Sequence, residues 1–171
     1  MSASAAVAGL LLAASSTKPT PPACVEDVRA HALAQAQQML AKEDAGGTTA
    51  ASNFSSYPLD DIDGDGQPEQ LLVEEYMGTA NNPHFLYLSN RGCRRYAGVI
   101  WAHAESIRPL PKKKNGLRML RIFLSGGCAG TEGEVHELGW SGDHFTVVRK
   151  IKCACIDDPS PAHRRRDPAC P

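Results

Sequence analysis

From Ala23 to Asp44, apolar positions recur at helical spacing: Val25, Val28, Leu33, Met39 and Leu40, joined by several alanines. The pattern predicts one helix over 23–44, with Glu26 and Asp27 in its first turn and Gly46-Gly47 as the stop. A Thr/Ala/Ser stretch leads to Pro58, and beyond it the pattern changes to strands. Short apolar or alternating runs span Glu69–Tyr76, Pro83–Ser89, Arg95–Ala102, Leu117–Leu124, Glu134–Trp140 and His144–Lys152. Asn90-Arg91-Gly92 and Ser141-Gly142-Asp143 read as hairpin turns. Phe85, Tyr87, Tyr96, Trp101 and Trp140 lie on these runs and read as core residues.

The strand region carries an internal echo. Shifted by 50 residues, Gly66 falls on Gly116, Leu72 on Ile122, Val73 on Phe123, Leu88 on Leu138 and Gly92 on Gly142. A slip of one residue then brings Tyr96 onto Phe145 and Val99 onto Val148. These matches define two degenerate β units, 57–107 and 108–155. Two units cannot close a propeller, so the expected fold class is α+β: the N-terminal helix on an open, mainly antiparallel sheet. Residues 23–156 then form one globular domain, and 157–171 a loose tail unless Cys170 anchors it.

A chain of 171 residues, 42% hydrophobic and 22% charged, is long enough for a real core and excludes disordered, collagenous and multi-span membrane classes. The formal net charge of −1 conceals blocks of opposite sign. Residues 1–42 sum to +1, 43–90 to −9 with no Lys or Arg, and 91–171 to +7. The near-zero total argues against a whole-protein nucleic-acid binder, and the opposed blocks suggest attraction between the two units. The apolar stretch Ala5–Ala14 followed by Ser15 reads as a signal peptide over 1–15, although no Lys or Arg precedes it. Residues 16–22 form a Ser/Thr/Pro linker, and Pro21-Pro22 fits Cys24 poorly as a lipidation site. No run approaches the roughly 20 apolar residues that a transmembrane helix needs. The expected location is secreted or periplasmic. In that setting Cys24, Cys93, Cys128, Cys153, Cys155 and Cys170 read as disulfide formers, with Cys93–Cys128 a plausible pair joining two hairpin ends. A zinc cluster of Cys153, Cys155, His163 and Cys170 has the wrong ligand spacing.

The densest chemistry is Asp61-Ile-Asp63-Gly-Asp65-Gly-Gln67-Pro-Glu69. Alternating carboxylates on a tight loop aim oxygens at one centre, as a hard cation requires. Asp61, Asp63 and Asp65 would ligate through side chains, Gln67 through its carbonyl, and Glu69 directly or through water. An EF-hand is excluded because position twelve is Leu72, not Glu, and the flanks are strand-like with Pro58 and Pro68. The run Tyr57–Val73 resembles the calcium-loop repeats of FG-GAP and VCBS-type extracellular proteins, in which D-x-D-G-D-G-x-x-D/E leads into a buried strand. The resemblance implies Ca2+ at Asp61, Asp63, Asp65, Gln67 and Glu69, with Glu69 replacing the usual last Asp. The FG and GAP signatures are absent, so adhesion functions do not follow. Where the second unit should repeat the loop it has Lys112-Lys-Lys-Asn-Gly116, a turn without acids, so one site is expected.

Other motifs read more simply as structure. Ser141, Asp143 and His144 lack a nucleophile-elbow spacing, and neighbours on a hairpin are expected to point apart. Glu74 and Glu75 alternate faces, and His31, His84, His103, His136 and His163 show no ligand spacing. Ser125–Gly130 is Gly-rich but opens no helix that could cradle phosphate. Lys112–Lys114 and Arg164–Arg166 read as solvated patches. The sequence therefore points to an exported calcium-binding structural or binding domain serving a protein or glycan ligand, rather than to an enzyme. The alternatives are a secreted hydrolase with dispersed active-site residues, and a secreted inhibitor or protein-interaction module.

Overall fold

A computed structural model describes residues 23–42, 54–74, 81–103, 106–127, 132–155 and 167–170. Helix α1 (Val28–Lys42) precedes eight strands: β1 (Phe54–Leu59), β2 (Glu69–Glu74), β3 (Asn82–Asn90), β4 (Cys93–Ala102), β5 (Arg108–Lys114), β6 (Leu117–Gly127), β7 (Glu132–Trp140) and β8 (Phe145–Cys153). Strands β1–β4 form one antiparallel meander and β5–β8 a second, each open at both edges. The expected α+β class with two β units is present, each unit building its own four-stranded sheet.

The helix begins at Val28 rather than Ala23 because Asp27 caps it. Its Oδ1 accepts the backbone N–H groups of Arg29 and Ala30, both at 3.0 Å, so Glu26 and Asp27 precede the first turn instead of occupying it. The expected extension to Asp44 and the Gly46-Gly47 stop lie outside the described residues. Strands β1 and β5 are corrections, since their prolines and lysines read as loop. Both are edge strands, where Pro58, Pro109 and Pro111 are tolerated and lysines protect the exposed edge.

Alternation along the strands sorts the apolar residues into layers. On one face of the first sheet, Phe54, Leu72, Phe85 and Tyr87 pack on Ala32 and Ala36 of α1. On the other, Leu71, Leu86, Leu88 and Ile100 meet Leu120, Ile122 and Leu138 of the second sheet. The second sheet's outer face carries Phe123, Val135 and Cys153, against which Ala169 and Cys170 pack. Ile122 thus faces the first sheet as its counterpart Leu72 faces the helix. The ungapped echo fails one strand later. Leu72 lies opposite Phe85 but Ile122 opposite His136, an offset of 51, so Leu88 corresponds to Gly139 and not to Leu138. Trp101 is another correction: it is 44% exposed on edge strand β4, whereas Tyr87 and Phe85 are buried and Trp140 stacks edge-on against Phe145.

Two disulfides brace these layers. Cys24–Cys93 ties the approach to α1 to the start of β4, beside the Val25 N–H to Arg94 carbonyl bond of 2.7 Å. It replaces the expected Cys93–Cys128 pair. Cys153–Cys170 fixes residues 167–170 against β8, so this part of the tail is anchored rather than loose. Cys155 is also disulfide-bonded, and none of these sulfurs is available to zinc as a thiolate. The proposed leader, the 16–22 linker, Cys128, His163 and Arg164–Arg166 lie outside the described residues.

His84 is 2% exposed, faces the second sheet, and places Nδ1 2.8 Å from the Asn82 carbonyl oxygen. Burial holds its pKa below the ordinary value, and His31 shifts the same way. A depressed histidine pKa gives stability that is complete above the unfolded value near 6.5 and is lost as pH falls through the folded value. The urea midpoint is therefore expected to drop between pH 7.5 and 5.5, and to drop less in His84→Gln. An unchanged wild-type midpoint over that interval would contradict this assignment.

Candidate metal centre

The connection from β1 to β2 occupies residues 60–68. Its aspartates fold back on their own backbone. Asp61 Oδ1 accepts the Gly64 N–H at 2.6 Å and Oδ2 the Gly66 N–H at 3.0 Å. Asp63 Oδ1 accepts from Asp65 at 3.0 Å, and Asp65 Oδ1 from Gln67 at 2.8 Å. These short-range bonds curl the chain, and φ values of +91° at Gly64 and +86° at Gly66 let it turn where a Cβ would be strained. The result gathers one carboxylate oxygen from each of Asp61, Asp63 and Asp65 to within 4.8 Å of the others. Such a trio could bind a metal ion.

Between the first two aspartates, Ile62 points the opposite way and is fully buried in the core between the sheets. Its carbonyl accepts the Arg118 N–H at 2.7 Å, and the Arg118 guanidinium reaches the Asp61 carbonyl at 3.3 Å. The acidic loop is thus pinned to the second unit through β6. Lys113 of β5 also comes close, its Nζ lying 3.1 Å from where a Cβ on Gly64 would stand.

Glu69 opens β2 and is 1% exposed. Its Oε1 accepts the Ile62 N–H at 3.1 Å and its Oε2 the Ser89 N–H at 2.6 Å, while Ser89 Oγ donates to the Pro68 carbonyl at 2.6 Å. The carboxylate therefore braces the loop from beneath, joining it to β3, and the close trio does not include it. Gln67 sits exposed on the loop with its N–H committed to Asp65. Charge states follow from these surroundings. The Gly64 N–H holds the Asp61 pKa below the ordinary carboxylate value, whereas burial raises those of Asp63 and Glu69. Sequence reasoning missed Ile62, Ser89, Lys113 and Arg118. Only Ile62 left a signal, an apolar residue between alternating acids.

In the second unit, β5 and β6 are joined by Asn115-Gly116 alone, with φ of +51° and +91°. The trio is the one such cluster among the described residues. Ser141, Asp143 and His144 require a correction, because the turn brings them together rather than apart. Ser141 Oγ donates to Asp143 Oδ1 at 2.9 Å and lies 3.2 Å from His144 Nδ1, which is 2.6 Å from Asp143 Oδ1. Ser and Asp compete for the same ring nitrogen on an exposed turn, whereas a catalytic relay places them on opposite nitrogens. Glu74 is buried, and His136 pairs with Glu134 at 2.7 Å. Asn81 clamps the Ser125 backbone through both ends of its amide, at 2.8 and 3.1 Å, and the start of the Gly-rich segment lies within β6.

The architecture defines a disulfide-braced module of two stacked β-meanders and a helix, carrying one acidic loop. Its disulfides suit an oxidising, extracytoplasmic setting, and no helix among the described residues is long and apolar enough to cross a membrane. The chain matches no protein-family model, no curated protein and no solved structure.

Proposed function

We propose that this protein is a secreted or periplasmic binding module in which residues 61–69 hold one structural Ca2+. The observation that carries the reading is the convergence of the Asp61, Asp63 and Asp65 oxygens within 4.8 Å on a self-bonded loop. An all-oxygen, strongly anionic set suits a hard divalent cation, and a flexible shell with backbone and water ligands suits calcium better than magnesium. In this reading the Gln67 carbonyl adds a ligand and Glu69 closes the shell directly or through water. The bound ion would cancel repulsion among the aspartates and fix the β1–β2 loop where it packs against the second unit. The module would present a rigid surface to a protein or glycan ligand.

Isothermal titration tests the reading. Calcium is expected to bind at one site per chain with Kd on the order of 10⁻⁴ to 10⁻³ M, with magnesium weaker. Asp63→Ala is expected to abolish that binding. Absence of binding by the wild-type protein at about 10 mM calcium, ten times the upper end of that range, would refute the proposal.

A further inference from the structure

A cleft of about 810 Å³ lies beside the acidic loop, with the β3–β4 turn as its other wall. Its size falls within the range of small-molecule sites. Asp65 and Gln67 line the loop side, and Asn90, Arg91 and Arg94 the turn side, with Ser89 between them. Among the described residues, no aromatic or large apolar side chain lines it, which disfavours an apolar ligand. Both walls are held in place. The Cys24–Cys93 bridge and the Val25 N–H to Arg94 carbonyl bond fix the turn, and Ser89 is bonded to Glu69 and Pro68 of the loop side. A cleft ordered before binding loses little entropy on taking a ligand.

The two guanidiniums stand out. Every ion pair among the described residues lies elsewhere, and the side chains of Arg91 and Arg94 make no hydrogen bond there. Arginine forks suit carboxylate or sulfate, while the Asn90 and Gln67 amides and the Asp65 carboxylate suit hydroxyl groups. From this we infer that the cleft binds an acidic sugar, its carboxylate on Arg91 and Arg94 and its hydroxyls on Asn90, Gln67 and Asp65. The inference goes beyond the calcium reading and does not require it, since Asp65 is positioned by its bond to the Gln67 N–H.

The test is a backbone-amide NMR titration of the full chain with digalacturonate, in calcium and again in chelator. Shifts are expected in both conditions at Ser89–Arg94 and Asp65–Gln67, and not at β8. Neutral digalactose is expected to bind at least about tenfold more weakly, as is a folded Arg91→Asn/Arg94→Gln variant. Asparagine is chosen at 91 because the backbone there is left-handed, with φ of +47°. If that variant fails to fold, Arg94→Gln alone serves and should still weaken binding. Digalacturonate leaving these amides unshifted at about 20 mM, a concentration twentyfold above a millimolar Kd, would overturn the inference. So would equal binding of the neutral sugar, or of a di-glutamate peptide. Loss of calcium binding with sugar binding intact would fault only the metal reading.

Discussion

Glu69→Ala is expected to lower the unfolding free energy by about 3 kcal/mol, because it strips the acceptors from two buried backbone N–H groups. Those donors are Ile62 and Ser89, at 3.1 and 2.6 Å, and no solvent reaches the side chain that serves them. The charged form of this carboxylate is disfavoured by burial, so the N–H bonds are what justify an acid in this position. Glu69→Gln keeps one acceptor oxygen and is expected to cost about half as much. Urea unfolding of the three proteins at pH 7 checks both values. Equal stability of wild type and Glu69→Ala would show that the brace contributes nothing.

Removing the Cys24–Cys93 bridge is expected to have the largest effect of all. Its ends are 69 residues apart in sequence, and closing a loop of that length restricts the unfolded chain by about 4 kcal/mol. The native contacts that remain to hold α1 are few. Among the described residues they include the Arg29 guanidinium on the Phe54 carbonyl at 2.8 Å, the Tyr87 hydroxyl 3.2 Å from the Val28 carbonyl and 3.0 Å from His31 Nδ1, and the packing of Ala32, Ala36, Leu33 and Met39. In the Cys24→Ala/Cys93→Ala variant, amide exchange should accelerate first in α1 and β4, while β6 and β7 stay protected. Uniform exchange rates matching the wild type would contradict this hierarchy.

How much of this was legible in the chain depends on the range of the information. Strands β2, β3, β4, β6, β7 and β8 announce themselves through continuous or alternating apolar residues. The capping aspartate shifted the helix start by a turn, which periodicity alone does not resolve. Strands β1 and β5 stayed hidden because edge positions accept the same prolines and lysines that mark loops. The 50-residue offset that puts Leu72 on Ile122 does not carry to β3 and β7, where the pairing registers differ by 51. Irregularities at Leu86/Tyr87 and Glu137/Leu138 then shift the register against β4 and β8, the first beside Gly98 at φ of +110°, a strand glycine that periodicity alone does not interpret. Disulfide partners were open because six cysteines allow fifteen pairings.

The acidic loop divides in the same way. Asp61, Asp63 and Asp65 were readable because their geometry is made by bonds spanning two to five residues. The bonds Glu69 makes were not, since Ser89 lies 20 residues further on in another strand. An acid at that spacing reads as a ligand, and only the tertiary fold adds that its oxygens accept backbone N–H groups as well. Lys113 and Arg118 likewise reach the loop only because the second sheet stacks on the first.

The central claim is that a cation completes this loop, and thermal melting in calcium against chelator tests it most directly. With 10 mM calcium in excess over a Kd near 10⁻⁴ M, the wild-type Tm is expected to rise by about 5 °C or more, and Asp63→Ala to show no rise. Identical wild-type melting temperatures in calcium and in chelator would contradict the account.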